Sequence, residues 1–209
     1  MLGPAKTGKV VSEKERKLVA YHEAGHALAA ASIEGADPVH KISIVSRGSA
    51  GGYTMKVPQD DAYFRTRSQF MGDLAMLLGG YAAEEEAFGE MSTGASNDLE
   101  KVAELARRIV TRYGMSEKMG PATFGHNTEA SFLGRELAHG AHTSEATAAD
   151  IDGEIKKLTL RAHALAKTIM KTRRTVLDAI ANALLEKESL EQEEFAALVE
   201  PFGLSPLPA

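Results

Sequence analysis

Cysteine and tryptophan are both absent from the 209 residues. Without cysteine there are no disulfides, and any metal falls to His, Asp or Glu. That absence fits a reducing compartment. Basic residues are the minority, 24 against 29 acidic ones, for a net charge of −5. With no block of lysine or arginine either, the chain does not read as a nucleic-acid binder. No apolar run approaches a membrane span and no leader pattern opens the chain, so the fragment reads as soluble and not exported. Internal repeats and low-complexity tracts are lacking too. What is present is ordinary for a globular protein of one domain or two small ones: 44% hydrophobic and 25% charged residues.

The chemistry gathers in residues 18–30, Leu-Val-Ala-Tyr-His-Glu-Ala-Gly-His-Ala-Leu-Ala-Ala. Read as a helix, this places His22 and His26 four residues apart on one face. Two imidazoles so spaced hold one zinc ion, and Glu23 beside them reaches a water on that metal. This is the His-Glu-x-x-His pattern of zinc peptidases. The bland alternative is a helix with two partly buried, hydrogen-bonded histidines. Small flanking residues favour a closely packed helix. Gly25, costly by roughly 1 kcal/mol in a helix interior, points to a substrate or another backbone coming close.

Along the chain, residues 1–11 read as a linker. Gly3 to Lys9 matches the opening of a phosphate-binding loop, but Val10 stands where Ser or Thr is needed and no strand precedes it. Ser12 and Glu15 form a capping box that predicts the zinc helix over about 13–33, ended by Gly35 and Pro38. Residues 40–46 and 52–57 are expected as short strands joined by a turn at 47–51, their edge able to receive an extended peptide or merely to cover the core. A helix of about 63–87 follows. Asn97 with Glu100 predicts a cap for a helix over 98–113, with Val102, Leu105, Ala106, Ile109 and Val110 as its buried stripe and Gly114 as its end. Residues 115–143 read as irregular. Helices are expected at 144–172, 174–187 and 191–199, the last capped by Ser189, and then a flexible tail at 204–209.

A catalytic zinc takes three protein ligands and keeps one open position. The third ligand does not follow from the first motif, because Ala29 to Ser32 holds no further histidine. Two candidates stand: the run Glu84-Glu85-Glu86, which also suits a solvated helix face, and Asp98, which also suits a helix start.

Three segments, Tyr21-His22-Glu23-Ala24-Gly25-His26-Ala27, Leu78-Gly79-Gly80-Tyr81-Ala82-Ala83-Glu84-Glu85 and Ser92-Thr93-Gly94-Ala95-Ser96-Asn97-Asp98-Leu99, resemble the peptidase domain of the FtsH family. Phe88-Gly89-Glu90, Tyr113-Gly114-Met115-Ser116, Phe132-Leu133-Gly134-Arg135 and Leu184-Leu185-Glu186-Lys187-Glu188 extend the likeness over about residues 10–203. FtsH proteins are membrane-anchored, ATP-dependent zinc proteases. The resemblance implies a mainly α metallopeptidase domain over 12–203, with a small two- or three-stranded sheet beside the zinc helix. Within it, 12–115 would carry the zinc site, 116–143 the irregular segment and 144–200 the C-terminal helices. It implies His22, His26 and Asp98 as ligands of one Zn2+ per chain, Glu23 as general base, and Glu84 as a partner behind a zinc-bound histidine. It also implies polypeptide substrates, a homo-hexamer, and a full-length protein that is membrane-anchored with this domain on the cytoplasmic side. ATP would act only through an ATPase module ahead of residues 1–11. The sequence departs from the family at Tyr81, where arginine is usual, and at Ala50-Gly51-Gly52, where Ala-Leu-Gly is usual; the second departure bears on substrate contacts.

A non-catalytic scaffold and a structural zinc domain are the rival classes. The intact His22, Glu23, His26 and Asp98 set argues against the first, and a base beside only three ligands against the second. Of the other histidines, His139 and His142 are spaced for a second metal pair but read as surface residues. His163 on a charged helix is expected to be exposed. Arg173-Arg174 reads as a solvated turn or an intersubunit contact.

Overall fold

The computed structural model describes residues 12–45, 51–56, 64–124 and 143–207. Its helices are α1 (Glu13–Ser32), α2 (Arg67–Leu77), α3 (Gly79–Phe88), α4 (Ser96–Thr111), α5 (Glu145–Thr172), α6 (Arg174–Lys187) and α7 (Gln192–Val199), with single 3-10 turns at Thr93–Ala95 and Glu200–Phe202. Three strands accompany them: β1 (Val39–Ser43), β2 (Tyr53–Lys56) and β3 (Ser189–Glu191). The fold is therefore mainly α with a small sheet, as the sequence predicts.

α1 begins at the expected capping box, the Ser12 hydroxyl accepting from the Glu15 amide while the Glu15 side chain takes the Ser12 amide. It then runs through the middle of the molecule, where Ala20, Ala24, Ala27, Leu28 and Ala29 are wholly buried. A helix that is apolar on nearly every side belongs in an interior. α3 and α6 pack most extensively on α1, and α2, α5 and the sheet also touch it. The approach of α3 is very close. A Cβ on Gly25 would stand 2.4 Å from the Gly79 carbonyl oxygen, and one on Gly79 would stand 2.7 Å from that of Gly25. Here the two backbones meet directly, so what approaches Gly25 is α3.

The same meeting corrects the single helix expected over 63–87. It is two helices, α2 and α3, interrupted at Leu78, whose ψ of −1° departs from the helical value, without an intervening loop. Leu78 donates its amide to the Leu74 carbonyl and accepts from the Ala82 amide, so hydrogen bonding continues through the interruption. Two consecutive glycines weaken a helix, and both of them lie against α1, Gly79 at Gly25 and Gly80 at His22. α2 starts at Thr66 with its own capping box to Gln69, and Asp60-Asp61 lies outside the described residues.

α4 buries the predicted stripe of Val102, Leu105, Ala106, Ile109 and Val110. Its start differs from expectation. Ser92 caps the 3-10 turn at Thr93–Ala95, which runs straight into α4 at Ser96, so Asn97 lies inside the helix and is not its cap. Ser189, expected to cap the last helix, opens β3 instead; Glu191 caps α7, paired with Glu194. The left-handed backbone of Glu188 (φ 64°) turns the chain out of α6 into that strand.

The sheet has the order β2-β1-β3 and is antiparallel throughout, with Ile42 opposite both Thr54 and Leu190. Among the described residues β2 is thus an edge strand. The turn expected at 47–51 lies largely outside the described residues, as do residues 1–11 and most of 115–143. Residues 204–207, read as part of a flexible tail, are held against the end of α1: the Leu207 amide donates to Ser32 and its carbonyl accepts from Glu34. Arg173 donates to the Ser205 carbonyl, and Arg174 to Asp178 and the Glu86 carbonyl, so neither side chain of that pair simply faces solvent. Among the described residues, no helix is long and apolar enough to cross a membrane.

Candidate metal centre

His22 and His26, one turn apart on α1, bring their Nε2 atoms to 3.1 Å of each other. Asp98, in the first turn of α4, places Oδ2 at 3.3 Å from both. Its other oxygen accepts from Lys101 Nζ at 3.0 Å. Among the described residues this is the one cluster of three or more His and acidic groups that converges as metal ligands do.

Each imidazole is oriented from behind. His26 Nδ1 lies 2.8 Å from the Met76 carbonyl oxygen. Because a carbonyl only accepts, that nitrogen carries the hydrogen and Nε2 is left as a lone pair. His22 Nδ1 lies 2.7 Å from Oε1 of Glu84, again an acceptor. Glu84 has no exposure, and its second oxygen accepts from the Ser92 amide at 2.6 Å. One buried carboxylate thereby ties α1, α3 and the approach to α4 together. Gly80 makes room for the His22 ring, since a Cβ there would stand 2.5 Å from Cε1.

The electrostatics mark the same point. Burial works against a charged His22, but the hydrogen bonds to Asp98 and Glu84, with the charge of Glu23, outweigh it and push the imidazole up to about 9. Asp98 is held well below the usual carboxylate range despite its desolvation, by His22, His26 and Lys101. Glu84 is also lowered, against burial, by His22 and Ser92. Carboxylates and imidazoles converging out of water favour positive charge here, which His22 carries as a proton and a metal ion would supply in its place. Edges of 3.1 to 3.3 Å between donors suit a tetrahedral ion with bonds of about 2.0–2.1 Å, the values for zinc with nitrogen and oxygen ligands. The donor set therefore fits zinc. All three side chains line a cleft of about 960 Å³ that leaves an approach for water or substrate.

Glu23 lines the same cleft and is 6% exposed. Its Oε2 accepts from Thr54 Oγ1 of β2 at 2.7 Å. The structure thus gathers His22, Glu23, His26 and Asp98 with Glu84 behind them. Glu85 and Glu86 are elsewhere: Glu85 meets His163 at 3.0 Å and Lys167 at 2.5 Å, and Glu86 lies 3.9 Å from Arg174. His163, expected to be exposed, is instead half-buried between Glu85 and the ring of Tyr81. His40 hydrogen-bonds Gln192 at the surface, while His126, His139 and His142 lie outside the described residues. Sequence reasoning missed Thr54, Lys101, Ser92 and the Met76 carbonyl. Lys101, three residues after Asp98 on one helix, is the one its spacing could have revealed.

Comparison with known proteins gives a consistent picture. The model of "Peptidase family M41" matches residues 9–198. The "ATP-dependent zinc metalloprotease FtsH 1" of Conexibacter woesei is 49% identical over 198 residues, 95% of this chain and 30% of that protein. Its namesake in a Thermoanaerobacter species is 47% identical over 193 residues, covering 92% and 32%. The "ATP-dependent zinc metalloprotease FtsH" of Caldicellulosiruptor bescii is 48% identical over 199 residues, covering 95% and 32%. The chain spans about a third of the length of each of these relatives.

Proposed function

Because this chain belongs to peptidase family M41, we propose that its residues 12–203 form the zinc endopeptidase domain of an FtsH-type protease, acting on polypeptides. His22 and His26 would hold one zinc ion through Nε2, and Asp98 would hold it through Oδ2. The observation that carries this reading is the convergence of those three atoms within 3.3 Å, with both rings oriented through Nδ1.

When bound, zinc would supply Lewis-acid chemistry, polarising a peptide carbonyl and bringing the pKa of water to about 7. Glu23 acts as general base, accepting a proton from the attacking water on its carboxylate and returning it to the departing amine. Glu84 and the Met76 carbonyl keep the rings turned to the ligand position. The edge strand β2 borders the cleft and presents backbone groups that an extended chain can join, which would set substrate across His22 and Glu23.

In the full-length protein, the reading adds an ATPase module that unfolds and feeds substrates, a membrane anchor with this domain on the cytoplasmic side, and assembly as a homo-hexamer. The names of the relatives support the ATP dependence, and their length leaves room for the further parts. Without that module, this chain should cleave only unfolded or flexible polypeptides, and ATP should not accelerate it.

Zinc content and casein cleavage test the assignment together. One zinc per chain in the wild type, little in Asp98→Ala, and cleavage abolished by a chelator and by Glu23→Gln are expected. Full activity in zinc-loaded Glu23→Gln would remove Glu23 as the base, and one zinc in Asp98→Ala would remove Asp98 as a ligand.

A further inference from the structure

Thr54 has no part in the scheme above, yet its shortest hydrogen bond is made to the proposed base. It stands on β2 opposite Ile42. Its Oγ1 lies 2.7 Å from Glu23 Oε2 and 3.3 Å from the Glu23 carbonyl oxygen. A hydroxyl has one hydrogen and a carboxylate only accepts, so the shorter contact is the donated bond. The β-branched side chain is stiff at χ1, and the strand fixes the backbone beneath it, so the hydroxyl arrives already aimed.

Two residues earlier, Gly52, just ahead of β2, meets the same side chain. A Cβ on Gly52 would stand 2.9 Å from Glu23 Cγ, 2.9 Å from Oε1 and 2.7 Å from the Ser43 carbonyl oxygen. The strand and the residue leading into it therefore each touch Glu23. Bare backbone at Gly52 lies against the stem and one oxygen, and the Thr54 hydroxyl holds the other.

We infer that Thr54 is a positioning residue for proton transfer: its hydroxyl pins Oε2 of Glu23, so that the carboxylate keeps one orientation in the cleft against the backbone of Gly52. This rests on the reading of Glu23 as base. Glutamate has three side-chain torsions, and a base must stand within hydrogen-bond reach of the proton it takes. A displacement of 1 Å can cost on the order of 100-fold in rate. Losing one of two restraints should cost about ten-fold.

The test compares wild type, Thr54→Val, Thr54→Ala, Thr54→Ser and Glu23→Gln in the zinc-loaded chain, with kinetics on an internally quenched peptide, zinc content and crystal structures. Valine keeps the shape and strand preference of threonine, and alanine removes the hydroxyl without adding bulk. Both should retain one zinc and lose about ten-fold in kcat with KM within about two-fold, while Thr54→Ser stays near wild type. In the crystal structures Glu23 should hold one orientation in wild type and Thr54→Ser, and swing away or divide between rotamers in Thr54→Val. An unmoved Glu23, or an unchanged kcat, in Thr54→Val would overturn the inference. A rise in KM alone would make Thr54 a substrate contact instead, and equal losses in Thr54→Ser and Thr54→Val would assign the effect to packing. Activity surviving in Glu23→Gln is a separate failure, of the base itself.

Discussion

Glu84 Oε1 stands 2.7 Å from Nδ1 of His22, and the glutamate is closed off from solvent completely. A charge so placed is tolerated because both of its oxygens are paired, one with the imidazole and one with the Ser92 amide. At the proposed zinc site it would act from behind the ligands, by fixing which nitrogen of His22 faces Asp98.

Replacement of Glu84 by glutamine should accordingly weaken zinc binding by about 10–100-fold while leaving the helices folded. Competition with a chromogenic chelator measures the affinity, and circular dichroism controls for the fold. Unchanged affinity would mean that His22 is oriented by its packing against Gly80 alone.

The contact between Gly25 and Gly79 makes an opposite prediction to helix propensity. Alanine at position 25 should gain roughly 1 kcal/mol as a helix former. It has no room: the Gly79 carbonyl oxygen lies 2.4 Å and the Ala83 Cβ 2.5 Å from where the methyl would sit. Gly25→Ala should be net destabilising, by about 1–3 kcal/mol, and should lower zinc affinity by displacing α3. Thermal melting with and without zinc measures both effects.

Ser116 and Glu154 give a pH dependence away from the metal. The Ser116 hydroxyl donates to Glu154 Oε2 at 2.7 Å and accepts from the Met119 amide at 3.1 Å. Chiefly through that hydroxyl, and against burial, the Glu154 carboxyl is lowered from its ordinary 4.5. A carboxyl that is more acidic in the folded state stabilises the fold above its unfolded pKa, and that contribution is lost as pH falls through the folded value. Ser116→Ala should therefore cost about 1–3 kcal/mol at pH 7, and the gap from wild type should narrow in acid. Urea unfolding at pH 7 and about pH 3.5 follows it.

Lys101 offers a milder change. Its ammonium meets Asp98 Oδ1 at 3.0 Å but is half exposed. Lys101→Met should reduce zinc affinity by a few-fold at most, because a solvent-screened pair on one helix is worth roughly 0.3–0.5 kcal/mol. A loss as large as that of Asp98→Ala would show that Lys101 sets the carboxylate's orientation outright.

Periodicity and capping signals foretold α1, the C-terminal helices and the buried stripe of α4, because each is decided within one turn or two of local sequence. His22 and His26 were legible for the same reason, sharing a helix face four residues apart. Asp98 was one of two options until the resemblance to the FtsH family pointed to it, since its partnership with α1 is made in three dimensions. Glu84 shows the limit most clearly. A run of three glutamates reads as a solvated face, yet in α3 the first of them points inward to His22 while its neighbours meet His163, Lys167 and Arg174. The Met76 carbonyl could not be foreseen at all, since every residue carries one. β3 escaped notice because its three residues find their partners on β1, about 150 positions earlier in the chain.

The crossing of α1 and α3 through Gly25 and Gly79 has a consequence for how this centre tolerates change. Two side chains in contact can trade volume or swap rotamers, and the distance between their helices drifts as they do. Peptide units pressed against each other have nothing to trade. The separation between the histidine-bearing helix and the one that carries Glu84 is thus set by atoms that every sequence shares. The spacing of His22 from Glu84 therefore rests on backbone contact more than on the choice of the side chains around it.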